Sequence, residues 1–217
     1  MSRISSFSAP HKGLRNLLSK FSFLAGKTNF EDPAQVADLK KLGFDLFRLL
    51  DEHARLENEF ILATLAERVP HGADHDLRDH EYLEEEQDKV SHKLKRLNGK
   101  QDADAGHDFY LSFSKYHSRY LAHILQEETV TEKLLQENFS DEELLQLRGR
   151  IMKSIPFSDF LIWVKYIIPA QNESENIGML KGFIASAPPE AFQKVSEVLR
   201  KELPEAEYAS LIQKVTG

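Results

Sequence analysis

Residues 113–134 read FSKYHSRYLAHILQEETVTEKL. Phe113, Tyr116, Tyr120, His123, Glu127, Val130 and Leu134 follow one another at alternating spacings of three and four. That is the period of an α-helix with one face turned inward. On this face an imidazole and a carboxylate stand where the pattern otherwise asks for apolar side chains. Residues four apart are about 40° from each other around the axis and ~6 Å along it, so His123 and Glu127 point the same way at adjacent levels.

The same interruption recurs upstream. A second stripe runs Leu42, Leu46, Leu49, His53, Leu56, Glu57 and Phe60, and a third runs Leu77, His80, Leu83, Glu84, Val90 and Leu94. An earlier stripe of Leu14, Leu18 and Phe21 includes His11. Punctuation fixes the rods. Ser8 and Pro10 open a helix over about 10–25, and Asp32-Pro33, a cap and a first-turn proline, opens one that reaches Val69 before Pro70. A charged helix over about 74–98 ends at Asn98-Gly99, and a fourth runs from His107 to about Asn138. Alternating β-branched runs with hairpin turns are absent. The sequence therefore predicts an all-α protein, an antiparallel up-down four-helix bundle over residues 1–138. An additional C-terminal helical region over 139–217 opens on a Ser140…Glu143 capping box and is divided by Pro156, Pro169, Pro188-Pro189 and Pro204.

Composition narrows the function. The 217 residues contain no cysteine, which removes disulfides, thiolate metal sites and a cysteine nucleophile. A formal charge of -7 is the wrong sign for a nucleic-acid partner. No apolar leader and no stretch near the ~20 residues needed to cross a bilayer is present, so the expectation is a cytoplasmic protein with no membrane partner. Phosphate-cradle and nucleophile-elbow motifs are missing, and His80-Glu81-Tyr82-Leu83-Glu84 has a glutamate where a zinc-protease helix needs its second histidine. No histidine has a glutamate three residues before it, which disfavours a ferritin-like site.

Burying several carboxylates without positive charge costs several kcal/mol each, roughly, even after relaxation. A cation resolves the conflict. Nitrogen and oxygen donors without sulfur suit iron or manganese and also admit zinc, and bridging carboxylates favour two ions. One His/Glu pair is ordinarily a surface contact; three on inward stripes point to a metal site. Glu128 lies about 140° around the axis from His123, so it is a reserve ligand behind Glu127. His75 and His117 read as supporting residues, and His71, His92 and His107 as solvent-facing.

HKGLR at 11–15, DEHARLE at 51–57, HEYLEEE at 80–86 and YLAHILQEE at 120–128 resemble the hemerythrin-like, or HHE cation-binding, family, in the family's order and over about residues 10–138. The resemblance implies a bundle holding two non-heme iron ions and a role in binding or sensing dioxygen, iron or related small ligands such as nitric oxide and peroxide. It points to His11, His53, Glu57, His80, Glu84, His123 and Glu127 as ligands, with Glu57 and Glu127 bridging and Glu84 terminal. Oxygen-carrying members have a second histidine where this chain has Glu84. The extra carboxylate would favour the ferric state, so binding or sensing is expected before oxygen carriage, and an enzyme turning over peroxide or nitric oxide is the alternative. A further alternative is a helical scaffold whose C-terminal helices, with Trp163 and Tyr166, contact a protein partner or a second copy of the chain.

Overall fold

The computed structural model describes residues 3–217, and among them every regular element is helical. Helix α1 spans Ser8–Lys27. Helix α2, Pro33–Leu56, passes through a π-helical segment, Glu57–Leu62, into α3, Ala63–Arg68, as one rod. Helix α4 spans Asp74–Arg96. Helix α5, Ala103–Gln126, passes through a second π segment, Glu127–Thr131, into α6, Glu132–Asn138. Helices α7 (Asp141–Ser154), α8 (Phe157–Ile167), α9 (Glu173–Ser186), α10 (Pro189–Glu202) and α11 (Glu205–Thr216) follow, with a 3₁₀ turn at Ile168–Ala170.

Local chemistry explains the boundaries. The Asp32 carboxylate accepts from the backbone N–H groups of Ala34 and Gln35 ahead of α2, and Asp102 accepts from that of Ala105 ahead of α5. Reciprocal capping boxes open α7 at Ser140/Glu143 and α9 at Asn172/Glu175. Gly99 turns the chain after α4 with a φ of 78°, and a Cβ there would collide with the Pro33 backbone.

Helix α1 packs on α2 and α5, α2 on α4, and α4 on α5, closing a ring of four rods. Each rod crosses the same three layers. One apolar cluster contains Leu14, Leu49, Leu83 and Tyr120; another contains Phe7, Ile61, Ala73 and Leu135. Between them along each rod lie His11, His53 and Glu57, His80, and His123 and Glu127. α1 and α4 meet the layers in one order, α2 and α5 in the reverse.

The apolar packing does not divide at residue 138. Helix α8 lies along α1 and also meets α2, and its Trp163, Tyr166 and Ile167 belong to the same buried cluster as Leu14 and Phe21. Gly13 allows the approach, since a Cβ there would stand 2.7 Å from Ile167 Cγ1. Trp163 and Tyr166 are 4% and 1% exposed, which corrects their expected place on a working surface. The outer face of α8 forms a separate cluster with α9, α10 and α11. Among the described residues no helix is long and apolar enough to cross a membrane.

Candidate metal centre

Six of the seven residues expected as ligands converge. His11, His53, Glu57 and Glu127 form one buried group, and Glu57, His80, His123 and Glu127 form another, with the potential ligand atoms within each group no more than 4.8 Å apart. The two groups share both glutamates. His11 arrives from α1, His53 and Glu57 from the α2 rod, His80 from α4, and His123 and Glu127 from the α5 rod. The 16 residues from His11 to Lys27 fall short of the 20 from Pro33 to His53 by about 6 Å at 1.5 Å per residue. The connection over residues 28–32 takes up that difference.

The seventh does not join. Glu84 is exposed on α4 and lines a groove outside both groups. His80 and Leu83 turn inward there, and Leu77, expected on the same stripe, is 38% exposed. The inward face of α4 is thus carried by His80, Leu83, Gln87, Val90 and Leu94, at spacings that leave Glu84 on the flank.

Each shared glutamate is the first residue of a π-helical segment. A π turn adds a residue to the local period, so the downstream inward face slips by one position. Val130 and Leu134, on the expected stripe, are displaced in favour of Thr131 and Leu135: Val130 is 44% exposed, whereas Thr131 and Leu135 are buried. The α2 rod behaves alike, with Ile61, Leu62 and Leu65 buried and Phe60 at the edge.

The interatomic distances suit cations. His11 Nε2 faces His53 Nε2 at 3.1 Å, and His80 Nε2 faces His123 Nε2 at 3.0 Å. Two nitrogens bound at right angles to one ion at ~2.1 Å would be separated by about 3.0 Å. Imidazole nitrogens stand 3.1–3.5 Å from the oxygens of Glu57 and Glu127. None of those four buried oxygens has a hydrogen-bond partner. Unpaired buried carboxylate oxygens are expensive, and a cation supplies what they lack.

Protons partly compensate in the metal-free chain. Burial opposes the charge on His11, but hydrogen bonding to Glu128 and the proximity of Glu57 and Glu127 push it up to about 9. Burial likewise opposes the charge on His80, and Glu127 and Glu57 outweigh it, pushing it up to about 10. Burial drives His53 and His123 down to about 3, reinforced by the neighbouring imidazolium groups. Burial and the charge of Glu57 push Glu127 up to about 8. Burial works against ionised Glu57 too, yet the surrounding histidines hold it well below the ordinary carboxylate range.

An outer layer orients the imidazoles. Glu128 lies outside the two groups; its Oε1 is 3.1 Å from His11 Nδ1, and it takes a bidentate pair of hydrogen bonds from Arg15. His80 Nδ1 pairs with Asn58 Oδ1 at 2.7 Å. Asp79 stands 3.6 Å from His123 Nδ1 and 3.5 Å from His75 Nδ1. Phe7 stacks on His11, and Trp163 meets His53 edge-on while donating from Nε1 to the buried Glu52 at 2.7 Å. Asp76, buried beside the centre, accepts from Thr131 Oγ1. Asn58, Asp79, Asp76 and Glu52 were not singled out from the sequence. Their only signal was a spacing of one, four or five residues from a candidate ligand. His117 has no place in the groups, and His71, His92 and His107 are exposed as expected.

No protein-family model matches the chain, and no solved structure matches it. Among curated proteins it is 27% identical over 171 residues to a zinc finger protein BRUTUS-like of Arabidopsis thaliana, an alignment covering 76% of this chain and 14% of that protein. It is 23% identical over 151 residues to F-box/LRR-repeat protein 5 of Xenopus laevis and 27% identical over 151 residues to that of Danio rerio, each covering 67% of this chain and 21% of the relative. The chain therefore spans about a fifth or less of the length of the curated relatives it matches. Buried His/Glu groups able to hold metal, on an all-helical scaffold, define what kind of protein this is.

Proposed function

We propose that the chain is a hemerythrin-like four-helix bundle whose centre holds two iron ions, and that it binds or senses dioxygen, iron or a related small ligand. His11 and His53 would hold one ion, His80 and His123 the other, and Glu57 and Glu127 would bridge them. The observation that carries this reading is the pair of buried groups sharing two glutamates whose four oxygens have no other partner. Four neutral imidazoles and two carboxylates offset two of the four charges of a pair of divalent ions, so the loaded centre keeps a net positive charge suited to small electron-rich ligands. Manganese and zinc fit the same donors. Bound iron supplies redox activity and coordination positions for a small molecule. The protein supplies fixed imidazole orientations, through Glu128 and Asn58, and exclusion of bulk water by the apolar layers above and below.

Anaerobic reconstitution with ferrous iron, followed by metal counting and visible absorption on admitting oxygen, tests the reading. Two irons per chain and a new visible band are expected for the parent, with loss of both in His53→Ala and His123→Ala. Equal iron in the parent and both variants would sink it. A groove reaching His80 favours turnover of peroxide or nitric oxide as a second reading; it requires steady-state rates well above those of His53→Ala.

A further inference from the structure

The two groups share their glutamates but not their surroundings. His11 is 0% exposed and lies under Phe7, and His53 is covered by Trp163 on α8. Glu128, itself gripped by Arg15, fixes His11 from behind with a charged acceptor. In the opposite group His123 is as buried as His53, at 3%, and His80 is the more open member at 6%. A groove of about 400 Å³ between α2 and α4 is lined by His80 and, on its α5 side, by Tyr120, whose ring meets His123 edge-on. His80 is oriented by the neutral amide of Asn58, and His123 has only the half-exposed Asp79 at 3.6 Å. The groove also carries the carboxylates of Asp51, Glu59, Glu81 and Glu84 against one guanidinium, Arg55, which is paired with Glu59. Its His80 belongs to the group that also contains Glu57 and Glu127, whose four buried oxygens have no hydrogen-bond partner.

We propose that the two half-sites are unequal: the His80/His123 half exchanges its cation through the α2–α4 groove, and the His11/His53 half retains its cation. This rests on the two-ion reading above and assigns the acidic groove a role as the cation's route. A groove whose carboxylates outnumber its cationic groups raises the local concentration of divalent cations beside His80. A charged second-layer acceptor raises the basicity of the imidazole it orients and tightens its hold on metal, which a neutral amide does more weakly. Both effects act in the same direction, making the groove side faster and the α1 side slower.

The test uses the full chain loaded anaerobically with two ferrous ions and challenged with excess bipyridine, the coloured chelate reporting release. Two phases of equal amplitude are expected. Ala54→Trp, which fills the groove from α2, should slow the fast phase and leave the slow phase and the stoichiometry unchanged. Charge reversal of the exposed pair, Glu81→Lys with Glu84→Lys, should slow the fast phase and ferrous uptake at that half by about tenfold or more at low ionic strength. It carries the test if Ala54→Trp fails to fold. Glu128→Gln should quicken the slow phase alone. A single release phase, or a fast phase indifferent to the groove variants, would overturn the inequality while leaving the two-ion centre standing. Failure of the parent to take up two ferrous ions would overturn both.

Discussion

At the scale of single residues, the centre stores its demand for positive charge as protons. At pH 7 His11, His80 and Glu127, pushed up to about 9, 10 and 8, each hold one, while His53 and His123 are neutral. On the two-ion proposal, loading would displace those protons, so about three protons per chain should be released at pH 7, measurable by calorimetry in buffers of different ionisation enthalpy. Stability of the metal-free chain follows with a definite sign. The raised histidines contribute most below the ordinary imidazole range near 6.5, and that contribution disappears as pH rises through 9 and 10. The lowered histidines work oppositely: their contribution is present above 6.5 and lost as pH falls toward 3, because unfolding lets them take protons. Metal-free protein should therefore be most stable near about pH 6 and weaken on both sides, with the alkaline loss reduced by metal. Melting curves at several pH values check this; a metal-free Tm that climbs steadily from pH 6 to 9 would contradict the proton assignments.

At the scale of elements, the two π segments aim the shared glutamates. They were not legible in the sequence, because a continuous three-and-four pattern reads straight through them: Val130 and Leu134 continue the stripe as well on paper as Thr131 and Leu135 do in the fold. What favours the longer turn is tertiary. Thr131 comes inward and donates to Asp76 on α4, and Glu132, the next residue, accepts from the backbone N–H groups of Ser6 and Phe7 at the start of α1. Thr131→Val removes a donor from a buried carboxylate and should cost about 1–3 kcal/mol in denaturant unfolding of the metal-free chain. Thr131→Ser, which keeps the hydroxyl, should cost much less, while a near-neutral Thr131→Val beside a destabilised Thr131→Ser would place the effect in packing of the methyl group instead. Glu84 lies outside the two groups for a related reason: spacing alone could not tell which flank of α4 faced its neighbours.

At the scale of the whole molecule, the C-terminal helices are joined to the ring of four rods by shared core. Besides Trp163 to Glu52, α8 carries Tyr166, whose hydroxyl donates to Asp45 at 2.6 Å, and Asp159, which pairs with Arg48. Trp163→Ala should cost about 3–5 kcal/mol, by analogy with other large-to-small core changes. A chain ending at residue 138 should lose cooperative melting and bind a hydrophobic dye, since it would expose the α1 face that Trp163, Tyr166 and Ile167 cover. A sharply melting 138-residue chain that still takes up metal would show that the four rods suffice.

The amino-acid sequence by itself determined the helical rods, their caps and six of the residues that meet at the centre, because periodicity and end chemistry are local properties carried in spacing and residue type. Only the tertiary structure decided that Glu84 stays outside, that the shared glutamates sit on π turns, and that α8 completes the core, because each depends on which flank of a helix a neighbour covers, and that is set by contacts between residues far apart in the chain.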